Sequence, residues 1–173
     1  MGVNPVIAIF FGGDFMFKIN DYVVYNHDVC KVIGFNNFNG RDYYVLSSLS
    51  DSSLKINVPI DNCNIRGLIS KDEVFKIINN IPNVGVVDVD SKSIDYVYKS
   101  LLESGTYDDL ISIIKTAYLV NRERVDNNKK VRDKDLHYFK LAESYLYNEF
   151  SIVLGMSYDE TRDYVISEVG KLV

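Results

Sequence analysis

Tryptophan is absent from the 173 residues, and cysteine and histidine occur only twice each. Two cysteines, Cys30 and Cys63, cannot build a disulfide scaffold or complete a four-thiolate zinc site, so both read as reduced thiols. His27 has Asp28 beside it and Cys30 three positions on, a grouping that could serve a metal or a Cys/His pair. The plainer reading is structural: His27-Asp28 is the turn between two strands, and Cys30 is a small apolar residue in the second. His137 falls near the start of an amphipathic helix, at a solvated position, and Cys63 is a turn thiol between two asparagines. Long apolar runs are missing as well, and nothing approaches the roughly 20 residues that a membrane-spanning helix needs. A cytoplasmic location without a membrane partner is therefore expected. No GxGxxG, Walker A, GxSxG, HExxH or EF-hand pattern occurs. The acidic pairs Asp88/Asp90 and Asp108/Asp109 could be imagined as catalytic, but the second falls in a first helical turn, where exposed amides favour negative charge. No enzymatic activity, metal site or cofactor is expected.

What is present is globular: 47% hydrophobic and 25% charged residues, with 13 tyrosines and 9 phenylalanines. The net charge of -5 argues against broad, sequence-blind nucleic-acid binding. Residues 1–15 hold a short apolar stretch without flanking basic residues and read as a flexible or non-native tail. Organised sequence begins at Met16.

From Tyr22 to Pro59 the text is that of strands: YVVY (22–25), KVIGF (31–35), DYYVLSSL (42–49) and LKINVPI (54–60), separated by Asn, Asp, Gly and Ser. Asn39-Gly40 is a hairpin signal, because both residues tolerate the positive φ of a type I′ turn. In the last segment Leu54, Ile56 and Val58 point one way, Lys55 and Asn57 the other. Such strands make a small, strongly curved antiparallel barrel or sheet over residues 16–66.

At Ser70 the period changes. Ser70/Glu73, Thr106/Asp109 and Ser157/Glu160 carry the chemistry of capping boxes. Apolar stripes follow at helical spacing: Val74, Ile77, Ile78, Ile81; Ile94, Val97, Leu101; Leu110, Ile113, Ile114, Ala117, Tyr118; Leu136, Phe139, Ala142, Leu146, Phe150; and Val165, Ile166, Val169. The segment 83–92 is linker-like, although its four valines are able to pack, and the polar run 121–135 interrupts the helices. The fold class is α+β, with residues 67–173 forming a compact all-helical domain.

Charge distribution is more informative than its total. Residues 115–140 hold eight Lys/Arg against four acids in an acidic chain. Such a patch can hold phosphates or can be a solvated corner laced with local ion pairs. The small β module has the size and the exposed edge of a docking element, because an edge strand offers unpaired backbone groups to another sheet.

The wording of the chain resembles the CarD/CdnL family of bacterial RNA-polymerase-binding transcription regulators, whose amino-terminal module also occurs in transcription-repair coupling factor. FKINDYVVYNHDVCKV (17–32) is similar to the family opening F-K-x-G-D-x-V-V-Y-P-x-H-G-V-G, and DYYVLSS, LKINVPIDN, GLISKDEV, LLESGTYDDLISIIKTAYL and FKLAESYLYNEFSIVLG follow in family order across 16–169. The resemblance implies an amino-terminal Tudor-like β-barrel that adds its sheet edge to the polymerase β subunit, with Tyr43, Val45, Ser47, Lys55 and Asn57 as the docking residues. It implies a helical domain that approaches upstream promoter DNA and modulates the open complex, in a non-enzymatic protein expected to be a monomer. The sequence departs from the pattern at Asn26, Asp28 and Cys30, which replace a proline and two glycines, and at Asn57, which replaces an arginine. Near 91–96, SKSIDY lacks the family's tryptophan and paired arginines. DNA contact is thus expected to be weak and partner-assisted, through Lys92, Lys99, Arg122, Arg124, Lys129, Lys130 and Arg132. Two alternatives remain open: a polymerase-binding adaptor or competitor with little DNA contact, and a general protein-interaction module.

Overall fold

The computed structural model describes residues 16–172, so the expectation for residues 1–15 lies outside the described residues. The described residues up to Leu68 form one compact unit and those from Ile69 onward a second.

The first unit is built from β1 (Tyr22–Tyr25), β2 (Asp28–Phe38), β3 (Arg41–Ser48), β4 (Lys55–Pro59) and β5 (Ile65–Gly67). Two tight turns set its register. Tyr25 pairs with Asp28 across Asn26 (φ 47°) and His27 (φ 71°), and Phe38 pairs with Arg41 across Asn39 (φ 50°) and Gly40 (φ 79°). Both turns thus have the doubled positive φ of a two-residue type I′ hairpin. The first falls one residue earlier than His27-Asp28, because asparagine and histidine accept the left-handed region and free Asp28 to begin β2. Between Val32 and Gly34 the pairing with β3 shifts, leaving Ile33 as a bulge residue.

The strands form one antiparallel sheet in the order β4-β3-β2-β1-β5. The expected Tudor-like barrel is therefore corrected to an open sheet. Closure would require the outermost strands to pair with each other, whereas among the described residues β5 pairs only with β1 and β4 only with β3. At three residues, β5 is also a very short strand. Val23, Cys30, Val32, Tyr44, Leu46 and Val58 form the buried cluster on one face, with Phe17, Phe35 and Ile56 packed against it. Tyr44 sits at its centre: its ring meets Phe17 at 5.7 Å and Phe35 at 6.1 Å, and its hydroxyl accepts the Met16 and Phe17 amides at 2.9 and 3.3 Å.

The second unit contains α1 (Lys71–Asn80), a 3-10 turn (Ile81–Asn83), α2 (Ile94–Ser104), α3 (Tyr107–Asp126), α4 (Asp133–Leu154) and α5 (Tyr158–Gly170). Capping boxes close reciprocally at Ser70/Glu73 and Ser157/Glu160, and the Thr106 side chain accepts the Asp109 amide. Gly105 (φ 63°) and Gly155 (φ 67°) end α2 and α4 in the left-handed conformation, which glycine adopts without a Cβ penalty.

Three sequence expectations are adjusted here. α3 runs through the polar residues 121–126, so the interruption between helices is confined to 127–132. Tyr118, Leu136 and Ile166 are exposed at 54%, 37% and 60% rather than inward. The segment 83–92 packs: Val84 joins a cluster with Val74, Ile111 and Phe150, and Val89 joins another with Ile94, Tyr98 and Ala142. The Lys115 ammonium donates to the carbonyls of Ile81 (3.1 Å), Pro82 (3.4 Å) and Val84, and the Val87 amide donates to Thr116 Oγ1 at 3.0 Å. Those bonds satisfy backbone groups that no helix or strand would.

Candidate functional site

Two surfaces carry the candidate residues. The first is the face of the sheet opposite the buried cluster. Along β3 the odd-numbered residues Tyr43, Val45 and Ser47 alternate with the buried Asp42, Tyr44, Leu46 and Ser48. Across the ladder Val45 pairs with Asn57, Ser47 with Lys55, and Tyr43 with Pro59. All five candidates from the sheet thus lie on one face of the β3–β4 hairpin, as direct cross-strand neighbours or next to one. Among the described residues, β4 lies at the end of the sheet with β3 as its one strand partner, which leaves its outer side as an edge for another chain. An exposed ion pair, Arg41–Asp61 at 2.9 Å, ties the start of β3 to the residues after β4, and its hydrogen bond holds the Asp61 carboxyl below the usual range.

The second surface belongs to the helical unit. Lys92 and Lys99 are exposed, the first just before α2 and the second in its middle, and Asp90 accepts the Lys92 and Ser93 amides ahead of the helix, both at 2.7 Å. Those two bonds, the Ser93 one foremost, keep the Asp90 carboxyl below its ordinary range. Sequence reading missed Tyr96, which is 79% exposed between these lysines and three residues before Lys99. Its signal was available: it lies off the Ile94, Val97, Leu101 stripe that faces the core.

The basic run that covers the end of α3 and the corner after it divides into two kinds of residue. Arg122, Lys129 and Lys130 are exposed. Arg124 and Arg132 are half-buried and spend their donors locally: Arg124 Nε donates to the Lys130 carbonyl at 2.7 Å, and Arg132 pairs with the buried Asp135 and reaches the Val89 carbonyl at 3.4 Å. The Arg132 amide donates to Asn121 Oδ1 at 2.9 Å, which fixes the corner between α3 and α4. Lys134, beside them, pairs with Asp95. Of the seven candidates from the helical unit, Arg124 and Arg132 are therefore committed to local partners.

The cysteines differ sharply. Cys30 is buried, and burial, reinforced by the Asp28 charge, pushes its thiol up to about 12, whereas Cys63 is exposed. A thiol that stays protonated is a poor nucleophile. An aromatic disulfide reagent at pH 8 is expected to titrate one thiol per folded chain, at Cys63, and two in denaturant. Rapid modification of both in the native protein would contradict the burial of Cys30. Among the described residues, no group of His, Cys, Asp and Glu is arranged to hold a metal ion. No helix among them is long and apolar enough to cross a membrane.

No curated protein matches this chain by sequence. A family model does match: that of the CarD-like/TRCF RID domain, over residues 17–71, about a third of the chain. The matched span begins at Phe17, on the ring of Tyr44, runs through all five strands and ends at the first residue of α1. The sheet unit is thus the part of this chain that matches the CarD-like/TRCF RID domain family.

Proposed function

We propose that this chain is a bacterial transcription regulator that docks on the β subunit of RNA polymerase through β4 and the adjoining face of β3. The observation that carries the reading is the coincidence of the family match with an edge strand, β4, that bears Lys55 and Asn57 beside Tyr43, Val45 and Ser47 on the adjoining face of β3. Adding a polymerase strand to β4 would satisfy backbone groups that no other described strand pairs, and the alternate side chains would give specificity. Docking concentrates the helical unit near promoter DNA, which lets an acidic chain with a few exposed lysines act on the open complex. The protein works in this reading as a cytoplasmic monomer.

Pull-down of the polymerase β lobe tests the docking. The double variant K55E/N57E is expected to bind at least about tenfold more weakly, or ~1.4 kcal/mol. Equal binding by the two proteins would remove the assignment.

For the helical unit, the exposed pair Lys129 and Lys130 is the place to measure. If this pair meets phosphates, K129E/K130E shortens the promoter-complex lifetime toward the value without the protein. It also lowers the salt slope by about one for each lysine. A second reading, that of an adaptor with little DNA contact, is favoured by the missing tryptophan and by the internal commitment of Arg124 and Arg132. In that case wild type and K129E/K130E give the same lifetime while both still bind polymerase.

A further inference from the structure

The charges of the sheet unit are distributed in a way that its sequence conceals. Residues 16–68 contain five acidic and five basic side chains. Every carboxylate among them is already engaged. Asp21 accepts the Lys18 amide at 2.8 Å, Asp28 the Ser48 and Ser50 hydroxyls at 2.5 and 2.9 Å, and Asp42 the Asn37 amide at 2.6 Å. Asp51 accepts the Ser53 amide and hydroxyl at 3.0 and 2.6 Å, and Asp61 pairs with Arg41. None of these acids stands on the outer face of β1–β4, where the register places Lys55, Ser47, Lys31 and Tyr22 side by side in a single row across four strands. Lys31 stands over the Tyr22 ring at 5.7 Å from its centroid, and Lys55 is exposed. A unit that is neutral by count therefore presents a lysine-only row, bordered by Val45 and Tyr43.

The geometry points to an acidic segment of the protein partner, laid across β4, β3 and β2, with two carboxylates about 10 Å apart that meet Lys55 and Lys31. The spacing follows from the two strand steps that separate the lysines, at roughly 4.8 Å each. A strand added at the β4 edge would run beside Lys55 but lie three strand steps from Lys31. The second carboxylate must then come from chain that crosses the face. A polypeptide suits the row better than a nucleic-acid backbone. The edge offers main-chain hydrogen bonds, the bordering side chains are an aliphatic and an aromatic, and two lysines match poorly a duplex with a phosphate charge about every 1.7 Å. This inference rests on the docking reading and adds to it the chemistry of the partner and a role for Lys31.

Equilibrium binding of the full chain to core RNA polymerase over a salt series tests it, with K31E, K31Q and K18E. Lys18 is exposed in the same unit but outside the row, so K18E makes an equal change in net charge. K31E is expected to weaken binding about five- to tenfold and to flatten its salt dependence, as loss of a charge contact does. K31Q should weaken it about twofold to threefold, and K18E should stay within about twofold of wild type. Unfolding midpoints in urea check that each variant is folded, and K31Q carries the test if K31E is not. Unchanged binding by K31E or K31Q, or equal losses in K31E and K18E, would overturn the acidic-segment inference and leave the docking intact. A loss of promoter-DNA binding without a loss of polymerase binding would assign the row to nucleic acid and overturn it as well. Failure of the wild type to bind polymerase would overturn the docking reading, and this inference with it.

Discussion

Asp135→Ala is expected to destabilise the helical unit by about 3–5 kcal/mol, the usual cost of deleting one member of a buried charge pair. The side chain of Asp135 is fully buried, and that of Arg132 is only 17% exposed. One carboxylate oxygen accepts the Tyr98 hydroxyl at 2.8 Å, while the carboxylate also pairs with the Arg132 guanidinium, which reaches on to the Val89 carbonyl. The network thereby joins α2, the segment before it and the first turn of α4. Alanine would strand a guanidinium and a buried phenol together, and neither could recover water without opening the cluster around Val89, Ile94 and Tyr98. Asp135→Asn, which keeps an acceptor for Tyr98, should lose less. Urea unfolding followed by helical circular dichroism measures both, and a D135A loss below about 1 kcal/mol would contradict the network.

The same network predicts an alkaline limb. Burial, and then the bond to Asp135, raises the Tyr98 hydroxyl above its ordinary value, and burial raises Tyr147 and Tyr158 likewise. Above about pH 10 the unfolded phenols lose protons that the folded ones retain, so stability should fall as pH rises from there. Tyr98→Phe should flatten that limb by one proton. The network also bears on function. Arg132→Ala would lose promoter activity through unfolding, whereas exposed Lys129 and Lys130 can be reversed at a cost within about 0.5 kcal/mol. Melting data must accompany any phenotype at Arg132.

These distinctions mark the boundary of what the chain discloses by its letters alone. The Asn39-Gly40 hairpin and the Ser70 and Ser157 capping boxes are local arrangements, settled within four residues, and the sequence carries them openly. The alternation along β3 likewise puts Tyr43, Val45 and Ser47 on one face, because the two-residue period of a strand is itself local. Sheet closure is a different kind of property. It depends on whether β4 finds β5, strands separated from β1 by unequal stretches of chain, and no local pattern records that. β5 itself, Ile65–Gly67, is too short for alternation and contains an arginine and a glycine, so its pairing with β1 is dictated by tertiary context. Arg132 is written inside a basic run and looks solvated, yet its partner Asp135 is buried one helical turn away. Glu149 is similar, accepting the Ile69 amide at 3.1 Å and the Tyr107 hydroxyl at 2.7 Å from inside α4. Charged letters at buried positions break the hydrophobic pattern from which burial is read.

Tyr44→Ala should unfold the sheet unit and abolish polymerase docking while leaving the helical unit folded. Tyr44 is 1% exposed and lies among the largest fully buried side chains. Replacing a buried aromatic by alanine costs about 3–5 kcal/mol. The sheet unit has roughly 50 described residues, and domains of that size are stable by only a few kcal/mol. Its core draws on residues between Phe17 and Ile65 alone, so the loss falls on this unit. Tyr44→Phe keeps the ring contacts to Phe17 and Phe35 and removes the hydroxyl that accepts the Met16 and Phe17 amides, a loss of about 0.5–1.5 kcal/mol per hydrogen bond. Two measurements read the outcome: binding to the polymerase β lobe, and a urea transition followed by helical signal. The expected result for Y44A is lost binding with the helical transition at its wild-type midpoint, and for Y44F nearly normal binding. Retained docking in an unfolded Y44A sheet would mean that the polymerase contact does not need β3 and β4 in register. A helical transition that collapsed with the sheet would mean that the two cores do not stand independently.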